Sequence, residues 1–255
     1  EKPLYYGWQG KSFIFGSELK SFYSHPDFKN EINKDAIYSL LRYYNISGIN
    51  TIFKNIYKIR PGTILNIRQD KKHSEQEYWS PNSLILNNNL ESKPKPDELV
   101  IEEFQALFRS SVKDQMISDV PLGAFLSGGI DSSLIVALMQ EQSINPVKTF
   151  TIGFDEKGYN EATFAKIVAN HLGTEHTELY VSPKDALNVI PELPKIYDEP
   201  FSDTSQIPTY LVSKLAAKDV KVSLSGDGGD ELFCGYNRYL MADRVFDKMT
   251  IIPKP

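Results

Sequence analysis

The spacing of apolar residues in the first 80 positions predicts a β-rich region with one helix. Two short apolar and aromatic runs stand on either side of a four-residue turn, Trp8 to Lys11, which is typical of a β-hairpin. Apolar residues then recur at helical spacing from Ala36 to Tyr44. Strand composition returns after the turn signal Arg60-Pro61-Gly62. The predicted elements are strands at 4–7, 12–15 and 63–67, a helix at 35–44, and a closing segment at 77–79.

A stretch rich in proline and asparagine at 80–98 interrupts this pattern. It contains three prolines, four asparagines and alternating charges, a composition that cannot bury much apolar surface. Beyond it, apolar side chains step by four residues from Val100 to Met116, which predicts an amphipathic helix at about 98–118. We therefore expect two domains, at 1–79 and 98–255, joined by a linker at 80–97.

From Leu122 onward, short apolar runs alternate with helical patterns. Asn160 is a suitable N-cap for one predicted helix, and Gly173 is a suitable C-terminal stop for it. Alternating strands and helices are typical of an α/β fold in which helices cover both faces of a parallel sheet. The predicted strands are 122–126, 147–153, 177–181 and 220–224, and the predicted helices are 132–142, 160–172, 183–197 and 208–218.

Composition and charge narrow the class of protein. The 255 residues carry 28 Lys and Arg against 33 Asp and Glu, a net charge of −5, whereas proteins that bind nucleic acid usually carry a basic surplus. The single cysteine excludes a disulfide scaffold and indicates a reducing, cytoplasmic setting. No apolar run approaches the roughly 18 residues of a membrane helix. We expect a soluble cytoplasmic protein that binds neither nucleic acid nor a membrane.

The first candidate for ligand binding is the loop Ser127-Gly128-Gly129-Ile130-Asp131-Ser132-Ser133. It lies between a predicted strand and a predicted helix, where parallel sheets bind their ligands. The glycines expose main-chain N–H groups, the serines offer hydroxyls, and the helix N-terminus adds partial positive charge. These features favour a phosphate ligand over an ordinary glycine turn. The carboxylate of Asp131 would repel phosphate unless Mg²⁺ lies between them.

A second loop, Ser225-Gly226-Asp227-Gly228-Gly229-Asp230-Glu231, has similar chemistry and follows another predicted strand. It holds three glycines and three carboxylates. Neither loop follows the G-x-x-x-x-G-K-S/T or the G-x-G-x-x-G pattern, so a kinase-like P-loop and a dinucleotide fold are not supported. Two acidic, glycine-rich loops at neighbouring strand ends favour a nucleoside triphosphate bound through metal over a solvated acidic turn.

Other polar residues have simpler interpretations. Cys234 has no neighbouring histidine or second cysteine, so we expect it to be a small buried residue. The histidines are scattered, and we expect no metal site at them. An acidic stretch around Pro200 fits either a functional site or a plain loop. The residues concerned are His25, His73, His171 and His176 among the histidines, and Asp198, Glu199 and Asp203 in the acidic stretch.

Both loops resemble a known family. Ser127-Gly-Gly-Ile-Asp131-Ser132 matches the SGGxDS pyrophosphate loop of the N-type ATP pyrophosphatases, and residues 224–233 resemble the second signature of the glutamine-dependent asparagine synthetases. The resemblance implies a PP-loop ATP pyrophosphatase fold, adenine nucleotide α-hydrolase-like, after the C-terminal part of an α+β N-terminal-nucleophile glutaminase domain. Further similar stretches lie at 2–6, 16–20, 118–125, 150–154 and 198–203.

The resemblance also implies a reaction. ATP activates a carboxylate as an acyl-adenylate, pyrophosphate leaves, and ammonia from glutamine forms the amide. Asp227 would be the catalytic carboxylate near the adenylate, in place of the usual Glu, while Asp131 and Asp230 would hold Mg²⁺. Cys234 stands where the family commonly has glycine. ATP or its pyrophosphate would be bound by Leu126, Ser127, Gly128, Gly129, Asp131, Ser132, Ser133, Ile152, Ser225 and Gly226.

The resemblance further implies that the chain is an internal piece of a longer protein. Its first residue is not Met, and the cysteine nucleophile of the glutaminase domain would lie before Glu1. We therefore expect the synthetase domain to be incomplete at its C-terminus and this piece to lack glutaminase activity. The expected partners are ATP, aspartate or another carboxylate, glutamine, and a second copy in a homodimer. Two alternatives stay open: an amidotransferase for a sugar acid or a β-lactam precursor, and a nucleotide-binding protein without catalysis.

Overall fold

The computed structural model describes residues 2–68, 70, 72–83, 95–154 and 160–249. Most of the predicted linker therefore lies outside the described residues. The strands are β1 (Tyr5–Gln9), β2 (Ser12–Gly16), β3 (Ile56–Lys58), β4 (Thr63–Ile67), β5 (His73–Glu77), β6 (Leu122–Phe125), β7 (Lys148–Phe154), β8 (Glu175–Val181) and β9 (Val222–Leu224). The helices are α1 (Lys34–Tyr43), α2 (Asp97–Gln115), α3 (Ile130–Gln142), α4 (Ala162–Leu172), α5 (Pro183–Val189), α6 (Leu193–Ile196), α7 (Gln206–Ala216), α8 (Gly229–Phe233) and α9 (Asn237–Met249). None of the helices in these ranges is long and apolar enough to span a membrane.

Several predicted boundaries move in the structure. The turn between β1 and β2 has two residues rather than four, because the two strands pair as far as Gln9 and Ser12. The predicted helix at 183–197 is broken into α5, a 3-10 turn and α6. Pro191 and Pro194 interrupt it because proline has no N–H to continue a helix. Gly173 ends α4 in the left-handed conformation, as predicted.

The chain divides into two compact units. Unit 1 contains residues 1–94 and 188–204, and unit 2 contains residues 95–187 and 205–255. In unit 1, β1 pairs antiparallel with β2 on one side and β3 on the other, and β4 pairs with β5. Its core is formed by apolar residues from β2, β3, α1 and the connecting loops: Ile14, Leu19, Phe22, Ala36, Ile46, Ile52, Phe53 and Ile56.

Charged groups hold segment 188–204 within unit 1. Glu199 lies 2.7 Å from the ammonium of Lys58 and accepts a 2.7 Å hydrogen bond from the main-chain N–H of Ile52. Asp198 lies 3.3 Å from Lys20, which also donates to the carbonyl of Ile196. The side chains of Asp198 and Glu199 are only 10% and 13% exposed. These two acidic residues are therefore structural ion-pair partners, not members of a plain loop.

Unit 2 is built on a four-stranded sheet in the order β8-β7-β6-β9, and every neighbouring pair is parallel. Apolar clusters cover both faces. Helices α2, α3 and α4 pack on one face around the buried Ala124, whereas α7 packs on the other face around the buried Phe150. Consecutive β6 residues point to opposite faces, as strand geometry requires. The predicted parallel α/β sheet with helices on both faces is confirmed.

Replacing Glu199 by Gln should destabilise unit 1, because the partly buried Lys58 loses its counter-ion. We expect the free energy of unfolding to fall by about 2 kcal/mol, a typical value for a hydrogen bond to a charged group. Urea unfolding followed by tryptophan fluorescence measures the change, since Trp8 and Trp79 both lie in unit 1. The control is Glu31→Gln, whose exposed partner Lys54 lies 3.6 Å away. A loss no larger than that of the control contradicts the anchoring role of Glu199.

His176 lies at the opposite end of the sheet from the two glycine loops, and we expect it to lower the free energy of unfolding of unit 2 at acidic pH. His176 accepts or shares a 2.8 Å hydrogen bond with the buried hydroxyl of Thr149. Burial lowers the pKa of His176 below its ordinary value of 6.5, the charge of Glu178 opposes this shift, and that of Lys166 adds to it. The unfolded chain therefore takes up a proton before the folded chain does.

We expect unfolding free energy to fall as the pH drops below about 6.5, the ordinary histidine value, and to level off below the lowered pKa of His176. His176→Asn, whose amide can replace Nδ1, should flatten this part of the pH profile in urea titrations. His73→Asn, on the exposed strand β5, serves as the control and should leave the profile unchanged. Equal profiles for His176→Asn and the parent protein would exclude His176 as the source of the pH dependence.

Candidate functional site

The pairing of β6 with β9 brings the two predicted loops together. The chain passes from β6 to β7 and β8 on one side, and returns to β9 on the other side of β6. The paired residues run from Leu122 opposite Val222 to Ala124 opposite Leu224. Both strands therefore end at the same edge of the sheet. This is the switch point of strand order, where open α/β sheets form a ligand crevice.

Two serine hydroxyls form hydrogen bonds between residues of the first loop. The Oγ of Ser132 accepts from the main-chain N–H of Ser127 at 3.2 Å and lies 2.9 Å from the Oγ of Ser127. Ser132 also donates to the carbonyl of Gly129 at 3.3 Å, and the N–H of Gly129 donates to Ser127 Oγ at 3.2 Å. Ser132 is 8% exposed. The loop is thus held in one shape by hydrogen bonds between its own residues.

The glycines of the first loop face the start of α4 and the crevice. Gly128 has φ +81°, and a Cβ there would lie 2.6 Å from the main-chain nitrogen of Ala165. Only glycine combines this backbone conformation with such close packing. Among the described residues, the N–H groups of Gly128, Ile130 and Asp131 have no hydrogen-bond acceptor. Such N–H groups at the start of a helix are suited to bind an anion.

The second loop forms a tight turn into α8. The hydroxyl of Ser225 donates a 3.0 Å hydrogen bond to the carboxylate of Asp227, which holds the Asp227 side chain close to the start of the loop. Gly228 adopts φ +89° at the N-cap of α8, and Cys234 adopts φ +58° at its C-cap. Cys234 is exposed, so the prediction of a buried residue is wrong. The left-handed conformation is the one that favours glycine, which explains why glycine suits this position better.

Residues that follow the second loop make aromatic and hydrogen-bond contacts with α2 and with their neighbours in the chain. Phe233 makes an edge-to-face contact with Phe104 of α2, with ring centroids 5.4 Å apart. Tyr236 donates a 2.7 Å hydrogen bond to Glu231, which lowers the pKa of Glu231 and raises that of Tyr236. Arg238 lies 4.1 Å above the ring of Tyr236. These contacts join α2, α8 and the start of α9 on one side of the loop.

The two loops touch each other through glycines. A Cβ at Gly226 would lie 2.6 Å from the main-chain nitrogen of Ser132, and a Cβ at Gly229 would lie 2.6 Å from the Cγ of Asp131. Both distances are shorter than any ordinary contact of a methyl group. The carboxylate of Asp131 therefore lies against the main chain of the second loop at Gly229, whereas the carboxylate of Asp230 lies against Gly235. Any larger residue at either glycine would push the loops apart.

Two of the predicted carboxylates lie in the loops at the crevice. Asp131 is half-buried against Gly229, and Asp227 is exposed. Within the described residues, no group of three or more His, Cys, Asp or Glu side chains is arranged to hold a metal ion. The described residues alone do not surround a cation here. This fits Mg²⁺, which is commonly held by one or two carboxylates together with phosphate oxygens and water.

The remaining predicted ligands lie near the same edge but differ in accessibility. The side chain of Leu126 is 1% exposed and lies in the core, so any nucleotide contact must come from its main chain. Ile152, in β7, is half-buried. The Oγ of Ser133 is buried without a hydrogen-bond partner among the described residues.

Sequence patterns placed both loops at neighbouring strand ends but did not indicate which of their atoms touch. The motif indicates that Gly226 and Gly229 leave room for a ligand, whereas the structure shows that they leave room for Asp131 and the main chain of Ser132. The lysine partners of Asp198 and Glu199 were also missed. Lys20 and Lys58 are more than 100 positions away along the chain, and no local pattern connects such residues.

Comparison with known proteins agrees with this geometry. Residues 103–253 match the family model described as asparagine synthase, and residues 1–79 match the model described as glutamine amidotransferase domain. The chain is 41% identical over 256 residues to a Methanocaldococcus jannaschii protein with the provisional name asparagine synthetase (glutamine-hydrolyzing) 2, covering 99% of this chain and 48% of that protein. It is 38% identical over 240 residues to asparagine synthetase (glutamine-hydrolyzing) 1 of Bacillus subtilis, covering 93% of this chain and 36% of that protein.

The chain thus spans half or less of the length of these curated relatives. The asparagine synthase model nevertheless matches more than half of the chain, and it includes both glycine loops and the strands that carry them. The chain belongs to the asparagine synthase family.

Proposed function

We propose that this chain contains the ATP site of a glutamine-dependent asparagine synthetase. The reaction converts aspartate, glutamine and ATP into asparagine, glutamate, AMP and pyrophosphate. The observation that carries this proposal is the contact between two glycine-rich, acidic loops at neighbouring strand ends. Membership of the asparagine synthase family and the names of the relatives support it. The proposed domains are 1–79, of the glutaminase type, and 98–255, of the synthetase type.

The first loop is proposed to bind the pyrophosphate part of ATP. The N–H groups of Gly128, Ile130 and Asp131, which have no acceptor in the part of the chain that the structure describes, favour an anion over a neutral ligand. Ser127 adds a hydroxyl at the same place, whereas the Oγ of Ser133 is buried. Ser225 and Gly226 approach the nucleotide from the second loop. Adenine or ribose would lie along the strand ends, beside Ile152 and the main chain of Leu126.

Asp227 is proposed to act at the activated carboxylate. One side-chain carboxylate oxygen of the substrate aspartate attacks the α-phosphorus of ATP, and the bond between that phosphorus and pyrophosphate breaks. Ammonia then attacks the acyl carbon, AMP leaves, and Asp227 accepts the proton that ammonia releases. The hydroxyl of Ser225, 3.0 Å away, orients the Asp227 carboxylate.

Asp131 and Asp230 are proposed to hold Mg²⁺ together with the phosphates of ATP. The cation would supply positive charge that neutralises the phosphate oxygens next to two carboxylates. The position of Asp131 against the main chain of Gly229 restricts where its oxygens can lie. Ammonia would come from glutamine, through the amidotransferase region to which residues 1–79 are similar.

In the full-length protein, Asp131→Asn should abolish exchange of labelled pyrophosphate into ATP while sparing glutamine hydrolysis. We expect exchange to fall at least about 100-fold, since the variant loses a carboxylate charge that is proposed to hold Mg²⁺ beside the reacting phosphates. The matched control is Asp219→Asn, in the exposed turn after α7, which should keep full exchange. Unchanged exchange in Asp131→Asn would overturn the assignment of the first loop.

The same assay with different acceptors tests the substrate. Pyrophosphate release that depends on aspartate supports asparagine synthesis. Release that depends on a sugar acid or a β-lactam precursor, but not on aspartate, would place the chain among amidotransferases for other carboxylates. Saturable binding of Mg-ATP without acid-dependent release would identify a nucleotide-binding protein without catalysis.

Gly229→Ala should weaken Mg-ATP binding about tenfold or more, because its methyl group would displace the Asp131 carboxylate. Isothermal titration calorimetry measures the change in Kd. Gly173→Ala is the control: it has φ +72° and open space around it, so it should lower stability without changing nucleotide affinity. Wild-type affinity in Gly229→Ala would show that contact between the loops does not support nucleotide binding.

A further inference from the structure

The hydroxyl of Ser132 has no hydrogen-bonding capacity left for a ligand. A serine hydroxyl has one proton and two lone pairs. Three partners surround Ser132 Oγ: the N–H of Ser127, the Oγ of Ser127 and the carbonyl of Gly129, at 3.2, 2.9 and 3.3 Å. Each of them lies within the loop itself.

One arrangement of protons satisfies all four hydrogen bonds in the loop. Ser132 Oγ donates its one proton to the carbonyl of Gly129, so Ser127 Oγ must be the donor to Ser132 Oγ. Ser127 Oγ also accepts from the N–H of Gly129. In the reverse arrangement Ser132 would donate to Ser127, and the Gly129 carbonyl would lose its donor. Ser132 thus accepts twice and donates once, which uses its full capacity, whereas Ser127 keeps one free lone pair.

We infer that Ser132 is a positioning residue, which holds the loop in shape for pyrophosphate without binding the phosphate through its hydroxyl. This inference rests on the proposed function of the first loop. It corrects the expectation that the Ser132 hydroxyl is a direct ligand. The phosphate is instead bound by main-chain N–H groups and by the hydroxyl of Ser127. That hydroxyl can rotate to donate its proton to phosphate while Ser132 keeps its hydrogen bond to the carbonyl of Gly129.

Amide hydrogen exchange in the nucleotide-free protein tests this inference directly. Ser132→Ala should raise the exchange rate of the Ser127 main-chain N–H about tenfold, because that N–H loses its acceptor. Ser133→Ala is the matched control, since the neighbouring hydroxyl has no partner among the described residues. It should leave the Ser127 rate unchanged. An unchanged Ser127 rate in Ser132→Ala would overturn the inference.

A second variant separates the hydrogen bonds from the volume of the side chain. Ser132→Cys fills the same space with a much weaker hydrogen-bonding group. It should raise exchange at Ser127 as Ser132→Ala does. If Ser132→Cys behaves like the parent protein, the effect of Ser132→Ala comes from a cavity, and the inference fails.

A double-mutant cycle distinguishes positioning from direct binding. If Ser132 acts through the loop, Ser127→Ala and Ser132→Ala together should weaken Mg-ATP binding little more than the stronger single variant does. If each hydroxyl binds phosphate independently, the two losses multiply, and the inference is wrong. Failure of the parent protein to bind Mg-ATP would instead refute the proposed function, while the exchange result would still report on the loop.

Discussion

Strands β6 and β9 pair in parallel, and this pairing forces the loops that follow them into van der Waals contact. Gly226 lies against the main chain of Ser132, and Gly229 lies against the carboxylate of Asp131. A single methyl group at either glycine would overlap these atoms. The shape of the crevice, the direction of the Asp131 carboxylate and the exposure of N–H groups at the start of α3 all depend on this close approach.

Each loop is also stabilised from within, by different means. In the first loop, the hydroxyls of Ser127 and Ser132 form hydrogen bonds with the loop's own main chain. In the second loop, Ser225 donates to the carboxylate of Asp227, and two residues in the left-handed conformation stand at the ends of α8. The loop most suited to phosphate is thereby held in shape before any ligand arrives. Preorganised main-chain donors bind an anion more strongly than mobile ones, because less ordering is required on binding.

In unit 1, ion pairs attach segment 188–204 to the rest of the unit. Segment 188–204 lies within the range that matches the asparagine synthase model, yet its contacts place it with residues 1–94. Glu199 has both carboxylate oxygens occupied, one by Lys58 and one by the N–H of Ile52. Partly buried charges are tolerated here because each has a partner at hydrogen-bond distance. Domain limits taken from sequence similarity and compact units taken from contacts therefore differ at this segment.

Local patterns predicted much of this molecule. Strand and helix periodicity was sufficient for the α/β class, for both loops and for the C-terminal stop at Gly173, because these depend on neighbours along the chain. Patterns failed where a residue's role depends on distant partners: the pairing of Glu199 with Lys58, the exposure of Cys234 and the contact of Gly229 with Asp131. The sequence by itself determined which residue types stand at the strand ends. Only the tertiary structure decided which of them touch, because strand order, and not distance along the chain, brings the ends of β6 and β9 together.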